Sequence, residues 1–160
     1  MNTAKDLIAR YEQGIRTVEE AVKATAPEVA DQAPAPGKWT VRQIIAHIAD
    51  ADMVAAMRFR LIAAQPGSRL TPFDQDSWAK QLNYQQQSIE SSLAAFEATR
   101  RFTAEMLRHL PDAAWKNTAI HEERGEVGLL AYVEHMCVHA ENHAQQIRNI
   151  HEKFKPAAKA

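Results

Sequence analysis

The chain has 160 residues, 46% of them apolar, which suits one domain with a sizeable core, since domains usually run to ~100–200 residues. With 19 Lys and Arg against 20 Asp and Glu the net charge is −1, so no field exists to gather nucleic acid or anionic lipid. A single cysteine, Cys137, excludes an intrachain disulfide and a thiolate cluster, and a metal site would have to draw on carboxylates and the 7 histidines.

Asp50, Asp52 and Arg58 break the apolar stretches well short of the ~18 residues that span a bilayer. The opening segment carries Lys5, Asp6, Arg10 and Glu12 where a signal peptide needs an apolar run, so the expected location is the cytoplasm, with no membrane partner. Few glycines and prolines, and long stretches of Ala, Glu, Gln, Leu, Lys and Arg, predict an all-α chain.

The first predicted helix runs from about Thr3 to Ala24 on Leu7, Ile8, Tyr11, Ile15, Val18 and Val22, and Pro27 closes it. Pro27, Pro34, Pro36 and Gly37 make Ala26 to Lys38 an irregular crossing loop, with Trp39 pinning its end. Thr40-Val41-Arg42-Gln43 reads as a capping box that starts the second helix, which continues to about Ala64 on Val41, Ile44, Ile45, Ile48, Val54, Met57 and Leu61 before Pro66-Gly67. A connection with a helical turn around Ser77 to Gln81 leads to a third long helix, Gln85 to Leu110, apolar at Ile89, Leu93, Phe96, Phe102, Met106 and Leu107. A second long connection, Pro111 to Glu126, precedes the last helix, Gly128 to His151. Residues 1–152 form the expected domain and 153–160 a tail too polar and short to pack. Four helices of similar length suit a bundle, and the two long connections exceed the usual ~2–8 residues, which leaves room for a crossover between non-adjacent or parallel helices.

The last helix concentrates histidines. At about 100° per residue, His143 falls about +40° and His135 about −40° from His139, on the side that also carries Met136 and Ile147. Imidazoles at i and i+4 can share one divalent ion at ~2.0–2.1 Å, and a third ligand has to come from another helix, where His47 is the only histidine of the second. His109 and His151 sit at helix ends, where a partly charged ring suits the dipole. Spacing alone weighs the metal and the hydrogen-bonded core about equally, because H-x-x-x-H lacks the Glu of H-E-x-x-H.

Trp39-Thr40-Val41-Arg42-Gln43-Ile44-Ile45-Ala46-His47-Ile48, followed by His135-x-x-x-His139-x-x-x-His143-x-x-Gln146-Ile147, resembles the DinB-like superfamily of bacterial four-helix-bundle proteins, and Phe73-Asp74-Gln75-Asp76-Ser77-Trp78 is similar to its middle-loop pattern. The resemblance implies a four-helix bundle with crossed, up-down-down-up connectivity, often a homodimer, with one divalent metal, zinc or nickel, on His47, His139 and His143. His135, one turn earlier, is then an outer neighbour of the ligands, a substitute ligand or a core residue, the last two being favoured. A Gly128 cap replaces the Ser or Thr that commonly opens the last helix. The implied activities on a small-molecule substrate are metal-dependent hydrolysis, transfer of a low-molecular-weight thiol, or thiol-dependent isomerisation; a stress-associated metal-binding module without chemistry is a further alternative.

Around those ligands, Asp50 can accept an imidazole N–H or act as a base, or it is a solvated carboxylate. Gln146 can orient a ligand or hydrogen-bond within the bundle. Arg58 can bind an anionic substrate, although pairing with a surface acid is the commoner fate of such a residue. His121 lies in a loop able to reach the pocket mouth, Tyr132 reads as packing, and Cys137, about 160° from His139, as a small buried hydrophobe.

Overall fold

Two reciprocal caps fix where long helices begin. Thr3 Oγ1 accepts the Asp6 amide at 3.2 Å while the Asp6 carboxylate accepts the Thr3 amide at 3.0 Å. Thr40 and Gln43 repeat the exchange at 3.2 and 3.0 Å. Each box satisfies two amides that a helix start leaves without partners. A computed structural model describes residues 3–155. In chain order its elements are α1 (Ala4–Lys23), α2 (Val41–Ala64), β1 (Arg69–Leu70), α3 (Gln75–Gln81), α4 (Ile89–Arg108), β2 (Thr118–His121), β3 (Gly125–Gly128) and α5 (Leu129–Phe154).

Side-chain registers give the helix directions. Arg42 reaches the Gln87 carbonyl, Asp52 meets Arg100, and Arg60 meets Thr103, so α2 and α4 run parallel. Cys137 pairs with the Leu7 carbonyl, Arg10 with Glu141 and Arg148 with the Thr17 carbonyl, so α1 and α5 are parallel too. His47 against His139 and Arg58 against Tyr132 make α2 and α5 antiparallel. Helices α1 and α2 each pack on both α4 and α5. The pairs α1/α2 and α4/α5, consecutive long helices, therefore lie across the diagonals, and the bundle has the crossed up-down-down-up connectivity. The first crossing loop is tied down by a two-pronged Arg42–Asp31 pair at 2.6 and 2.9 Å. No helix among the described residues is long and apolar enough to cross a membrane.

Between two apolar core layers sits a polar knot. Arg100 and Asp52 are both 0% exposed and paired at 2.9 Å; Tyr11 donates its hydroxyl to the same carboxylate, and Arg100 also donates to the Tyr11 and Met136 carbonyls. The knot thus ties all four long helices together. A charge pair this deep holds only when its remaining donors and acceptors are satisfied, as they are here. Gly14 is required beside it, because a Cβ there would overlap the Arg100 guanidinium.

The structure departs from the sequence-based expectations at several points. Pro27–Val29 forms a single 3-10 turn within the crossing loop. Phe102 and Met57, expected in the core, are 67% and 60% exposed, because α4 and α2 turn those faces outward. Residues Tyr84–Gln86 form a separate 3-10 turn, and α4 starts only at Ile89, capped by Ser88. Helix α5 continues to Phe154, which packs on the core, so residues 153–155 are not loose chain; the rest of the expected tail, 156–160, lies outside the described residues. A three-stranded sheet was not anticipated: β1 pairs parallel with β2, and β2 antiparallel with β3. Gly67, at φ 80°, turns the chain after α2 so that its amide meets the Thr118 carbonyl at 2.8 Å, which opens the β1–β2 pairing. The sheet fixes the position of His121, the last residue of β2.

Candidate metal centre

Antiparallel packing of α2 on α5 brings His47 opposite His139, and the i, i+4 spacing on α5 puts His143 beside both. His139 is the hub: its Nε2 stands 3.2 Å from Nε2 of His47 and 3.2 Å from Nε2 of His143. The three rings offer ligand atoms that all lie within 4.8 Å of one another. Two nitrogens on one metal at ~2.0–2.1 Å in a tetrahedral set stand about 3.3 Å apart, close to the observed separation. Trp39 flanks His47 with ring centroids 4.9 Å apart, and Phe73 stacks on the same imidazole at 6.3 Å, backed by Trp78. Asp74 holds that wall by capping α3, accepting the amides of Asp76 and Ser77 at 3.1 and 3.0 Å. The residues around the first histidine thus form an apolar sleeve that keeps water from one side of it.

Protonation within the cluster follows from its hydrogen bonds. The Gln146 amide oxygen stands 3.0 Å from His143 Nδ1. A carbonyl oxygen only accepts, so Nδ1 carries the proton and Nε2 turns its lone pair to the other rings. A single proton on His139 Nε2 can make at most one well-aligned hydrogen bond to its two neighbours. The remaining contact then lacks a hydrogen bond, and the Nδ1 atoms of His47 and His139 are buried without a partner among the described residues. Burial, reinforced by the neighbouring rings, pushes His47 down to about 3 and His139 to about 2; burial also lowers His143, opposed by Gln146. At neutral pH all three rings are uncharged. Three converging, neutral imidazoles, His47 buried and His139 and His143 half-buried, whose close contacts cannot all be hydrogen bonds, fit a divalent cation.

Beside the rings lies a cavity of about 320 Å³ whose walls include Arg58, Phe73, His121, Tyr132 and His135. His121 is 4% exposed, and its Nδ1 accepts the Glu123 amide at 3.2 Å, which leaves the proton of the neutral ring on Nε2. His121, whose loop could reach the pocket, is among the residues that line it.

Several sequence-based assignments change with the coordinates. Asp50 does not reach the His47 ring: its carboxylate accepts the Tyr84 hydroxyl at 2.5 Å, on another face of α2. His135 is neither among the converging ligands nor in the core; it is exposed at the cavity rim, stacked on Tyr132 with centroids 6.0 Å apart and 3.4 Å from Arg124. Arg58 has no surface acid; it is 8% exposed and bound to neutral oxygens. Tyr132 does more than pack, since its hydroxyl accepts Arg58 Nη1 at 2.6 Å. Gln146 meets a cluster imidazole, as one of its alternatives had it. Cys137 is 1% exposed, directed at the Leu7 carbonyl, and burial pushes its thiol up to about 11, so it supplies no thiolate near neutrality.

A crossed four-helix bundle with three histidines gathered from its second and last long helices defines a recognisable class. The chain belongs to the DinB superfamily, whose sequence profile matches residues 10–147. A curated relative from Oceanobacillus iheyensis, named "putative metal-dependent hydrolase", is 31% identical over 114 residues, 71% of this chain and 66% of that protein. Another of the same designation, from Bacillus mycoides, is 27% identical over 118 residues, 74% of this chain and 68% of its own length. The chain thus spans about two thirds of these relatives. Among solved structures, YfiT from Bacillus subtilis, described as "a probable metal-dependent hydrolase with an unusual four-helix bundle topology", superposes with a TM-score of 0.88 at 22% identity, covering 94% of this chain and 87% of that one.

Proposed function

We propose that the chain is a metal-dependent hydrolase in which His47, His139 and His143 hold a divalent ion, zinc or nickel, beside a cavity that admits a small substrate. The observation that carries the reading is the convergence of three uncharged imidazoles within 4.8 Å, two of which, His47 and His139, line the cavity. The designations of the O. iheyensis and B. mycoides relatives support it. A divalent ion bound there supplies Lewis-acid polarisation and brings the pKa of water toward neutrality. The chain's own groups do the rest. Gln146 keeps the proton of His143 on Nδ1, the Trp39–Phe73 sleeve excludes solvent from His47, and His121 offers an Nε2 proton at the cavity wall for a developing negative charge.

Ester and amide panels supplied to the zinc-loaded and chelator-stripped chain test this reading. Turnover that disappears on stripping and returns with zinc is the expected result. Turnover only when a thiol and an electrophile are supplied together would replace hydrolysis with thiol transfer, with the thiol coming from outside because Cys137 is buried. An ion bound without turnover of any kind would leave a metal-binding module. The Gln146 contact makes a narrower prediction: Gln146→Ala lowers zinc affinity by about 10–100-fold, the usual effect of losing a group that orients a ligand, while the melting temperature of the stripped chain stays close to that of the parent. Competition with a chromogenic chelator measures it, and an unchanged affinity would show that the amide is incidental.

A further inference from the structure

Arg58 holds none of the three histidines in place, yet it faces the same cavity from α2, about three turns beyond His47. It is 8% exposed. Its Nη1 donates to the Tyr132 hydroxyl at 2.6 Å and its Nη2 to the Thr71 carbonyl. Both acceptors are neutral, and no carboxylate among the described residues forms an ion pair with it. The chain itself shows the alternative. Its other buried guanidinium, Arg100, is matched by Asp52 and by two carbonyls, and is not among the residues that line this cavity. Where the task is structural, the charge is neutralised from within. Arg58 is instead oriented by neutral oxygens and keeps part of its five-donor fork unspent beside an open volume.

The rest of that volume points the same way. Arg124 adds a second guanidinium at the rim; Phe73 and Met136 give apolar wall; Glu123, exposed on the hairpin turn, is the one acid in the lining. A planar carboxylate takes two parallel N–H bonds from a single guanidinium, and its one negative charge equals the one positive charge of Arg58. A phosphate dianion would leave charge uncompensated at that depth.

We propose that Arg58 receives the carboxylate of a small, partly apolar substrate and holds it in the cavity beside His47 and His139. The proposal rests on the assignment of this pocket as a substrate site and names the substrate class. Its test does not depend on a bound ion.

The full chain, stripped with chelator so that no ion can take the carboxylate, is titrated with benzoate and with benzamide, its uncharged analogue. Calorimetry reads affinity, and nitrogen-15 resonances of the arginine Nε groups read the contact. Benzoate is expected to bind at least about tenfold more tightly than benzamide and to shift the Arg58 Nε signal in the parent chain. Arg58→Met should lower benzoate affinity by about tenfold or more with zinc content unchanged, and Arg58→Lys, which keeps the charge and loses the fork, should fall between. If Arg58→Met does not fold, the Nε signal of the parent chain still decides the matter. Equal affinity for benzoate and benzamide, an Arg58 signal unmoved at saturation, or inorganic phosphate bound more tightly than benzoate would each overturn the assignment. Zinc bound without a benzoate response removes this proposal and leaves the metal centre; benzoate bound by a chain that takes no zinc does the reverse.

Discussion

Replacing His139 with alanine is expected to reduce the zinc content of the purified chain from about one ion to less than about a tenth, and zinc affinity by about a thousandfold. One of three protein ligands in a site of ~10–16 kcal/mol carries roughly that share. His139 is the choice because its Nε2 is the shared neighbour of both other rings at 3.2 Å. His135→Ala, one turn away on the same helix and exposed, serves as the control and should leave zinc content unchanged. The stripped H139A chain should melt close to the stripped parent, since the substitution also removes a buried Nδ1 that has no partner. Elemental analysis of untagged protein, with calorimetry for affinity, checks both halves. Retention of the ion by H139A together with its loss in the His135 variant would move the site one turn toward the start of α5.

The second large effect concerns the fold. Asp52→Ala leaves Arg100 fully buried without its carboxylate and deprives the Tyr11 hydroxyl of its acceptor. Removing one partner of a buried ion pair costs about 3–5 kcal/mol, which at about 2–4 °C per kcal/mol for a chain of this length is a fall of roughly 6–20 °C in Tm. Replacing both partners, Asp52→Leu with Arg100→Met, should recover only part of the loss. Arg100 also satisfies the carbonyls of Tyr11 and Met136, and a methionine cannot. Thermal and urea unfolding measure the series. A D52A chain melting within about 2 °C of the parent would show that the knot contributes little.

That knot is legible in the sequence. Leu93, Phe96, Arg100, Thr103 and Leu107 recur at threes and fours, which places a guanidinium in the apolar stripe of α4; Ile48, Asp52, Ala55 and Phe59 do the same for a carboxylate on α2. Two opposite charges at core positions of separate helices announce a buried pair. Asp50 lies closer in angle to His47 than Asp52 does, but it turns to Tyr84. The long helices were readable because their caps and closing prolines are local chemistry: Thr40 with Gln43 starts α2 as the four-residue pattern requires. The strands were not readable. A run of two to four residues such as Arg69–Leu70 or Thr118–His121 gives too little alternation to distinguish from loop, and its pairing depends on a partner some fifty residues away.

For the site the pattern is similar. The convergence of His47 with His139 and His143 rests on helical periodicity plus one tertiary fact, the antiparallel contact of α2 with α5, and the family resemblance supplied that fact. Arg58 defied its sequence context because burial there comes from Thr71 and Tyr132, a loop and a distant helix, and neither is visible from α2 alone. His121 gained its place only through the unanticipated sheet.

A single ion held at a single point is tested most directly by a crystal grown with zinc, with diffraction recorded on both sides of the zinc absorption edge. The expected map has one anomalous peak per chain at about 2.0–2.1 Å from the Nε2 atoms of His47, His139 and His143. A peak on other residues, or none between these rings in protein shown by elemental analysis to carry zinc, would contradict it.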